Sequence, residues 1–284
     1  MISDAELKRT ASDWGVNPMI VDLDYVLGAF LSQWYLDDWT AKLRFKGGTC
    51  LRKCYFPRHR FSEDLDFTAE EEIDHNDLIA LLERTEEKVQ DVLGVDLRVR
   101  PRRMRILQDS QGGTTLEIRM YYRGPLFRTG SPQAIQLHIT EAGCEFLAPV
   151  SNSLDIIHPY TDQALIAGVQ ANCYTLQEII SEKLRAISGQ RRFTISRDLY
   201  DIYHLLNFGG VVLDDLRDLM EPKFRARGLK LEDINPVEFV GRREEFERDW
   251  ARNLQHLLPS SDETRFNDVW STSLGAVEWV DSIS

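Results

Sequence analysis

The chain of 284 residues is long enough for one large domain or for two domains of ordinary size. Hydrophobic residues make up 43% of it and charged residues 28%, which is typical of a folded globular protein and excludes a disordered one. The net charge of −12 argues against a protein that coats nucleic acid through bulk charge.

The chain shows no sign of a membrane or secretory segment. No apolar run approaches the roughly 20 residues that span a bilayer, and the first residues lack the basic and apolar regions of a signal peptide. Cys50 and Cys54 lie four residues apart, but no second ligand pair accompanies them, so the sequence does not predict a zinc site. We therefore expect a reduced, cytoplasmic protein that does not contact the membrane.

The first half of the chain mixes helical and strand patterns. Residues 20–36 predict a helix, and residues 43–45 predict a short strand that ends in a glycine turn. We expect Thr49 to cap a helix through residues 51–53. Further on, the patterns predict a strand at 65–68, a helix at 75–92, and alternating strands at 97–107, 114–124 and 134–140.

After about residue 150 the pattern becomes mainly helical. Pro149, Pro159 and the polar residues 151–153 predict a linker. Amphipathic helices are predicted at 176–188, 196–208 and 246–258. These patterns predict an α+β protein with a sheet-bearing domain at residues 1–150 and an α-helical domain at residues 151–284.

Gly47, Gly48 and Thr49 lie where a predicted strand gives way to a predicted helix. Glycines allow a phosphate to approach the backbone closely, and the start of a helix offers unpaired N–H groups and a positive dipole end. Ordinary tight turns use the same residues, so this motif becomes informative only together with others.

Asp64 lies fifteen residues after Thr49, and Asp66 follows two residues later. In a strand, residues i and i+2 point to the same face, so we expect the two carboxylates to project together. Like charges held close need a cation, and Mg²⁺ prefers oxygen ligands. The pair therefore predicts a metal site for phosphoryl transfer. The alternative is a solvated strand end whose acids pair with Arg58 or Arg60.

Basic residues cluster in two places, which suggests a focused contact with a polyanion such as a triphosphate or an RNA end. For the second cluster a solvated surface explains the pattern equally well. The first cluster contains Lys42, Arg44, Lys46, Arg52, Lys53, Arg58 and Arg60. The second contains Arg98, Arg100, Arg102, Arg103 and Arg105.

Lys183 falls on the apolar face of the predicted helix at 176–188. Burying an ammonium group without a partner is costly, so we expect an anion beside it. The alternative is a lysine whose stem packs while its head reaches water. Asp198 and Asp201 share one face of the next predicted helix, and for Asp198 stabilisation of the helix start is the alternative role.

Four segments together resemble a known family. KGGTCLRK, RFSEDLDF, EIISEKLRAI and SRDLYDIYHLL resemble the AbiEii/AbiGii nucleotidyltransferase toxins, the toxin half of type IV toxin–antitoxin and abortive-infection systems. The resemblance extends from about residue 24 through the C-terminal helices. It implies a polymerase-β-like nucleotidyltransferase core, a mixed sheet with flanking helices, and an α-helical C-terminal domain.

The resemblance also implies roles for individual residues. The nucleotide-binding residues would be Lys46, Gly47, Gly48, Thr49, Arg60 and Arg197. The catalytic residues would be Asp64, Asp66, Lys183 and Asp198, with Mg²⁺ or Mn²⁺ on Asp64 and Asp66. Lys183 would contact phosphate and Asp198 would serve as metal-side or base carboxylate, so the helical domain would complete the site.

The implied reaction transfers a nucleoside monophosphate from an NTP to RNA, with the 3′ acceptor end of tRNA as the expected acceptor and arrest of translation and growth as the result. A cognate antitoxin encoded in the same operon is the expected partner. Transfer to a protein hydroxyl, or a degenerate protein that binds a nucleotide or partner without turnover, are the alternatives.

One position departs from the pattern of many nucleotidyltransferases. His138 stands where a third carboxylate is expected on the predicted strand at 134–140. This leaves a two-carboxylate site completed by Asp198, or a weakened enzyme. The histidine would equally fit as a neutral strand residue with a local hydrogen bond.

Overall fold

The computed structural model describes residues 1–108, 113–127, 130–190 and 193–284, which form two compact units. The first unit consists of Met1–Cys144, Ser151–Cys173 and Pro259–Ser261. The second consists of Glu145–Val150, Tyr174–Leu258 and Asp262–Ser284. The chain therefore crosses between the units more than once, and the segment that follows residue 150 returns to the first unit.

The described ranges contain helices in both units and strands in the first. The α-helices are α1 (Asp4–Trp14), α2 (Pro18–Trp34), α3 (Gly47–Cys50), α4 (His75–Leu93), α5 (Leu176–Arg185), α6 (Ser196–Asn207), α7 (Arg217–Arg225), α8 (Pro236–Gly241), α9 (Arg243–Asp249) and α10 (Phe266–Ser282). The strands are β1 (Leu43–Lys46), β2 (Asp64–Ala69), β3 (Arg103–Gln108), β4 (Thr114–Tyr122), β5 (Gln133–Thr140), β6 (Asn152–Asp155) and β7 (Gln170–Cys173). A π-helical turn, Leu51–Tyr55, continues α3.

Within the described residues the strands form one mixed sheet in the order β3-β4-β5-β2-β1-β7-β6. The central strand β2 is antiparallel to β1 and parallel to β5. In this register Asp66 lies opposite Lys46 on β1 and His138 on β5. Three residues that the sequence singled out are therefore neighbours across the middle of the sheet.

The core of the first unit forms where β2 buries alternate residues. Leu65 and Phe67 are fully buried, whereas Asp64 and Asp66 on the other face are partly exposed. The ring of Phe67 stacks on Phe45 at 5.2 Å, and aromatic pairs of this kind add to the stabilisation from apolar burial. The buried face thus holds β2 in a register that keeps both carboxylates together on the open face.

The second unit is built on α5, α6, α7 and α10. Thr175 caps α5 by accepting a hydrogen bond from the N–H of Glu178 at 3.1 Å, a typical helix start. Lys223 of α7 is fully buried and reaches Glu178 at 3.0 Å and Glu182 at 3.1 Å. A buried cation costs little only when carboxylates surround it, as they do here.

The α+β class with a helical C-terminal region is confirmed, and the helices predicted at 20–36 and 75–92 correspond to α2 and α4. The strand predicted at 97–107 is shorter, because β3 begins at Arg103, after Pro101, which lacks the N–H that a sheet needs. The predicted linker after residue 150 is wrong: residues 152–155 form β6, and β7 follows where helix was expected.

Among the helices of the described ranges, none is both long enough and apolar enough to cross a bilayer.

Candidate active site

The glycine turn joins β1 to α3. Gly47 has a φ of +78°, a backbone conformation that side chains rarely adopt. A Cβ atom at Gly47 would lie 2.6 Å from Oδ2 of Asp66, and one at Gly48 would lie 2.4 Å from Nη2 of Arg60. The two glycines therefore make room for a carboxylate and a guanidinium that press against the backbone.

Thr49 does not cap a helix, which corrects the sequence prediction. The helix begins two residues earlier, at Gly47, with Lys46 in the cap position, so Thr49 lies inside its first turn. Its hydroxyl instead donates to the backbone carbonyl of Asp64. This hydrogen bond ties the glycine turn directly to the first residue of the strand that carries the acidic pair.

Asp64 and Asp66 share one face of β2, as predicted, and the side chain of Asp66 is 35% exposed. On the neighbouring strand, Nδ1 of His138 lies 3.2 Å from Oδ1 of Asp66. This hydrogen bond raises the pKa of His138 above its ordinary value, against the opposing effect of burial. His138 is thus a strand histidine whose local partner is one of the two carboxylates.

A third acidic side chain, which the sequence did not single out, belongs to this group. Glu117 of β4 lies opposite His138 in the sheet register, with its Oε2 3.8 Å from Nε2 of the histidine. Arg105 of β3 binds Glu117 through two hydrogen bonds of 2.8 and 2.9 Å, which lower the pKa of that carboxyl. The sequence could have indicated Glu117, because this acid alternates with apolar residues in the strand predicted at 114–124.

The donor set suits a hard divalent cation. Two carboxylates on one strand face supply the oxygen ligands that Mg²⁺ and Mn²⁺ prefer, and the exposed fraction of Asp66 leaves room for water or phosphate oxygens. Like charges so placed repel each other unless a cation lies between them. Asp64 and Asp66 therefore fit the metal that the sequence predicted at this position.

Four cations of the first basic cluster form ion pairs inside the first unit. Arg52 and Lys53 are buried, and each places a nitrogen 2.7 Å from a different oxygen of Asp24 on α2. Burial acts to raise the pKa of Asp24, but the charges of Arg52 and Lys53 hold it well below its ordinary value. The other ion pairs of this cluster are Arg44–Glu70 at 2.5 Å and Lys42–Glu71 at 3.2 Å. These four cations support the fold around the glycine turn.

Lys46 and Arg60 of the same cluster lie at the glycine turn itself. Both side chains are buried, with Lys46 on β1 opposite Asp66 and Arg60 against Gly48. Nη1 of Arg60 also donates to the backbone carbonyl of Phe61 at 3.1 Å. Lys46 therefore lies beside Asp66 and Arg60 lies at the glycine turn, and their role in nucleotide binding stays a prediction.

The second basic cluster is largely engaged with acids and one aromatic ring of the first unit. Its ion pairs are Arg98–Glu87 at 3.5 Å, Arg102–Glu83 at 3.0 Å, Arg102–Glu86 at 3.5 Å and Arg105–Glu117 at 2.8 Å. The guanidinium groups of Arg100 and Arg103 each lie 5.9 Å from the ring centre of Tyr121.

In the second unit, Lys183 meets the anion that its place on an apolar face predicted. Its ammonium lies 2.9 Å from Asp198 and 2.6 Å from Asp201, and the side chain of Asp201 is fully buried. The structure therefore brings Lys183 and Asp198 together on α5 and α6, and adds Asp201, which shares a helix face with Asp198. Arg197, also predicted for the site, is the second residue of α6.

Three solved structures have a similar fold. MenT4, a nucleotidyltransferase toxin from Mycobacterium tuberculosis H37Rv, aligns over 99% of this chain and 90% of its own at 20% identity and a TM-score of 0.61. JHP933 from Helicobacter pylori aligns over 94% of both chains at 18% identity and a TM-score of 0.58. A putative nucleotidyltransferase from H. pylori aligns over 94% of this chain and 96% of its own at 16% identity and a TM-score of 0.53.

Among curated proteins, none matches the chain. A family model does: that of the nucleotidyl transferase AbiEii toxin of type IV toxin–antitoxin systems matches residues 29–272, which is most of the sequence. The resemblance predicted from four short segments, and the nucleotidyltransferase activity it implied, are confirmed over this range. The chain belongs to the AbiEii family of nucleotidyltransferase toxins.

Proposed function

We propose that this toxin transfers a nucleoside monophosphate from an NTP to RNA, with the 3′ acceptor end of tRNA as the acceptor. The observation that carries the proposal is the close packing of the glycine turn on the acidic pair: Gly47 contacts Asp66, and Thr49 bonds the backbone of Asp64. A turn that admits phosphate and a carboxylate pair that holds a cation are the two parts that nucleotidyl transfer requires.

In the first unit the triphosphate would be bound by the turn and its two cations, which are Lys46, Gly47, Gly48, Thr49 and Arg60. In the second unit, Arg197 is the further residue that the family resemblance implies for nucleotide binding. The buried guanidinium of Arg60 lies against Gly48, where a planar group with several donors suits a phosphate.

Asp64 and Asp66 would hold Mg²⁺ or Mn²⁺, whose charge would stabilise the attacking and leaving oxygens of the transfer. His138 occupies the place of a third carboxylate and bonds Asp66. We therefore propose a two-carboxylate metal site in which the histidine orients Asp66. A hydrogen bond to a ligating carboxylate fixes its orientation, as outer partners of metal ligands commonly do.

Lys183 and Asp198 would supply the remaining chemistry. The terminal 3′ hydroxyl of the RNA attacks the α-phosphorus, a new phosphodiester bond forms, and pyrophosphate leaves. Asp198 would accept the hydroxyl proton, and the ammonium of Lys183 would offset negative charge on the phosphates. A tRNA extended in this way cannot be charged, so translation and growth would stop.

Membership in a type IV toxin–antitoxin family implies an antitoxin partner. We propose that it is encoded in the same operon and that both proteins act in the cytoplasm. The prediction is checked by expressing the toxin with and without the adjacent gene and measuring growth. If co-expression of the adjacent gene leaves growth arrest unchanged, that gene does not encode the antitoxin.

The transfer itself is tested with purified protein, total tRNA, Mg²⁺ and each labelled NTP in a separate reaction. Label should enter RNA with one NTP or a subset of them, disappear when the metal is chelated, and be lost with nuclease. Asp66→Asn is the matched inactive variant. Removal of the tRNA 3′ end before the reaction should abolish labelling if that end is the acceptor.

Other outcomes identify the alternatives. Label on protein bands that survives nuclease would replace RNA with a protein hydroxyl as the acceptor. Absence of label on both RNA and protein under Mg²⁺ and Mn²⁺, with the fold intact, would indicate a protein that binds nucleotide without turnover.

A further inference from the structure

Three cysteines meet in the first unit, close behind the glycine turn. Cys50 follows Thr49, Cys54 lies on the π-helical turn, and Cys173 is the last residue of β7. Their sulfur atoms all lie within 4.8 Å of one another, and all three residues are buried. The sequence showed Cys50 and Cys54 without further ligands; the sheet brings the third cysteine to them.

The convergence follows from the sheet register. β7 pairs in parallel with β1, and this pairing sets Cys173 opposite Phe45, two residues before Gly47. Cys50 and Cys54 follow on the helical segment that begins at Gly47. The three thiols therefore lie where the helical segment after the glycine turn meets β7.

We propose that Cys50, Cys54 and Cys173 form a zinc site that fastens the helix of the glycine turn to the central sheet. In a tetrahedral thiolate site with Zn–S bonds of about 2.3 Å, the sulfurs lie roughly 3.8 Å apart. Sulfurs already within 4.8 Å of one another need only small side-chain rotations to reach that spacing. Buried and closed surroundings are typical of structural zinc sites.

Zinc binding requires the three thiols to lose their protons, because thiolates are the form in which cysteine binds metal. Binding therefore releases protons, and the affinity for zinc should increase with pH.

An oxygen donor is available near the sulfurs. The hydroxyl of Tyr35 is buried and makes no hydrogen bond within the described residues, which is unusual for a buried polar atom. The thiols of Cys173, Cys54 and Cys50 lie within electrostatic reach of this hydroxyl. Tyr35 is therefore our candidate for the fourth ligand, and its phenol would give up its proton to the metal as the thiols would.

This inference goes beyond nucleotide transfer and does not depend on it. Zinc between these residues would limit the movement of Gly47 and Gly48 relative to the sheet. It would also be a different site from the carboxylates of Asp64 and Asp66, which offer oxygen and not sulfur. Metal content and nucleotide transfer are measured separately, so either proposal can fail alone.

The test uses the full chain produced under reducing conditions in zinc-supplemented medium, because a buried site fills as the protein folds. We expect about one zinc ion per chain by mass spectrometry, as a single closed structural site requires. Chain produced with cobalt should show a sulfur-to-cobalt charge-transfer band in the near ultraviolet. Wild-type chain with neither stoichiometric zinc nor this band would overturn the proposal.

Matched variants locate the metal. Cys173→Ser should lose the zinc and the cobalt band, whereas Cys144→Ser, which removes the cysteine outside the cluster, should keep both. Asp66→Asn should also keep the zinc. If Asp66→Asn loses the zinc, or if Cys173→Ser retains it, the metal lies elsewhere and the proposal is wrong.

Two measurements avoid dependence on whether a cysteine variant folds. Unfolding of wild-type protein should release about one zinc ion per chain to a zinc-binding dye, because the site exists only in the folded chain. Thiol counting on the unfolded protein should then detect four free thiols. A loss of 2 Da per chain with no bound metal would indicate a disulfide instead. Tyr35→Phe should keep the cobalt band but weaken zinc binding, and unchanged affinity would exclude Tyr35 as the fourth ligand.

Discussion

Two groups of charged side chains in this protein differ in how their charges are balanced. On β2, Asp64 and Asp66 place like charges on one face, and Asp66 is 35% exposed. In the second unit, Lys183 lies between Asp198 and Asp201, with at most 10% of any of these side chains exposed. The β2 pair leaves part of its carboxylate surface open to solvent, where a cation can bind, whereas the second group encloses an ammonium between two acids.

The two groups should therefore respond differently to mutation. A buried ion pair has already lost its hydration, so removing one partner leaves an uncompensated charge in the interior. Substituting one of two exposed like charges costs the fold less stability, because the substitution relieves their repulsion. We therefore expect substitutions in the β2 pair to affect activity most, and substitutions around Lys183 to affect stability as well.

The largest expected effect is that of Asp66→Asn on activity. Loss of one carboxylate of the proposed metal site should remove several kcal/mol of transition-state stabilisation, which is a decrease of about 1,000-fold. The rate of label transfer from NTP to RNA measures it. Asp155→Asn, on β6 of the same sheet, is the control and should retain the wild-type rate. Equal rates in both variants would remove Asp66 from the site.

Lys183→Met should lower the free energy of unfolding by about 3 kcal/mol, because it removes the ammonium that lies between the buried carboxylates of Asp198 and Asp201. Denaturant titration measures the change. Lys8→Met removes the exposed ion pair with Asp4 and should cost less than about 1 kcal/mol. If the two substitutions lower the free energy of unfolding equally, the ion pairs of Lys183 stabilise the fold no more than an exposed ion pair does.

Gly47→Ala tests the contact between the turn and the acidic pair. The added Cβ would be strained by the φ of +78° and would also collide with Asp66, so both stability and activity should fall. Gly143→Ala is a close control, since Gly143 has the same φ but open space around its Cβ position. The strain alone costs about 1–2 kcal/mol. Equal losses of activity in both variants would mean that the contact with Asp66 is unimportant.

The smallest expected effect concerns Glu117 at the edge of the acidic group. Hydrogen bonds from Arg105 lower its pKa below the ordinary value of 4.5 in the folded protein. The pair should therefore stabilise the fold above pH 4.5, and this contribution should be lost as the pH falls through the lowered pKa. Because Arg105 is largely exposed, water screens the ion pair and its contribution should be small.

Unfolding of wild type and Glu117→Gln at about pH 6 and about pH 4 measures this difference. The gap between the two proteins should narrow at the lower pH. Arg105→Met should show the same narrowing, because it removes the other half of the pair. A gap that widens on acidification would contradict the assigned direction of the pKa shift.

Local patterns were sufficient where residues close in sequence decide the structure. The alternation of β2 placed Asp64 and Asp66 on one face, and the apolar face around Lys183 predicted its anion. The family resemblance was likewise carried by four short segments and is confirmed over residues 29–272.

The features that sequence analysis missed depend on pairing between distant segments. β6 and β7 have four residues each, too few for alternation to be recognised, and they were taken for linker and helix. The error hid the approach of Cys173 to Cys50 and Cys54. Asp24 likewise pairs with Arg52 and Lys53, from which it is separated by more than 25 positions. These two cations are therefore engaged within the fold, where the sequence predicted a contact with a polyanion.

The position of β7 in the sheet has a consequence for synthesis on the ribosome. β1 emerges early, yet its second neighbour is not made until Cys173, and until then β1 has one unpaired edge, a situation prone to wrong pairing. The first unit also takes in Ser260, whose N–H bonds the carbonyl of Trp14 at 2.8 Å. The sheet that bears the glycine turn is therefore completed only late in translation. A fragment from interrupted synthesis that ends before residue 170 would lack β7 and so would leave this edge of β1 unpaired.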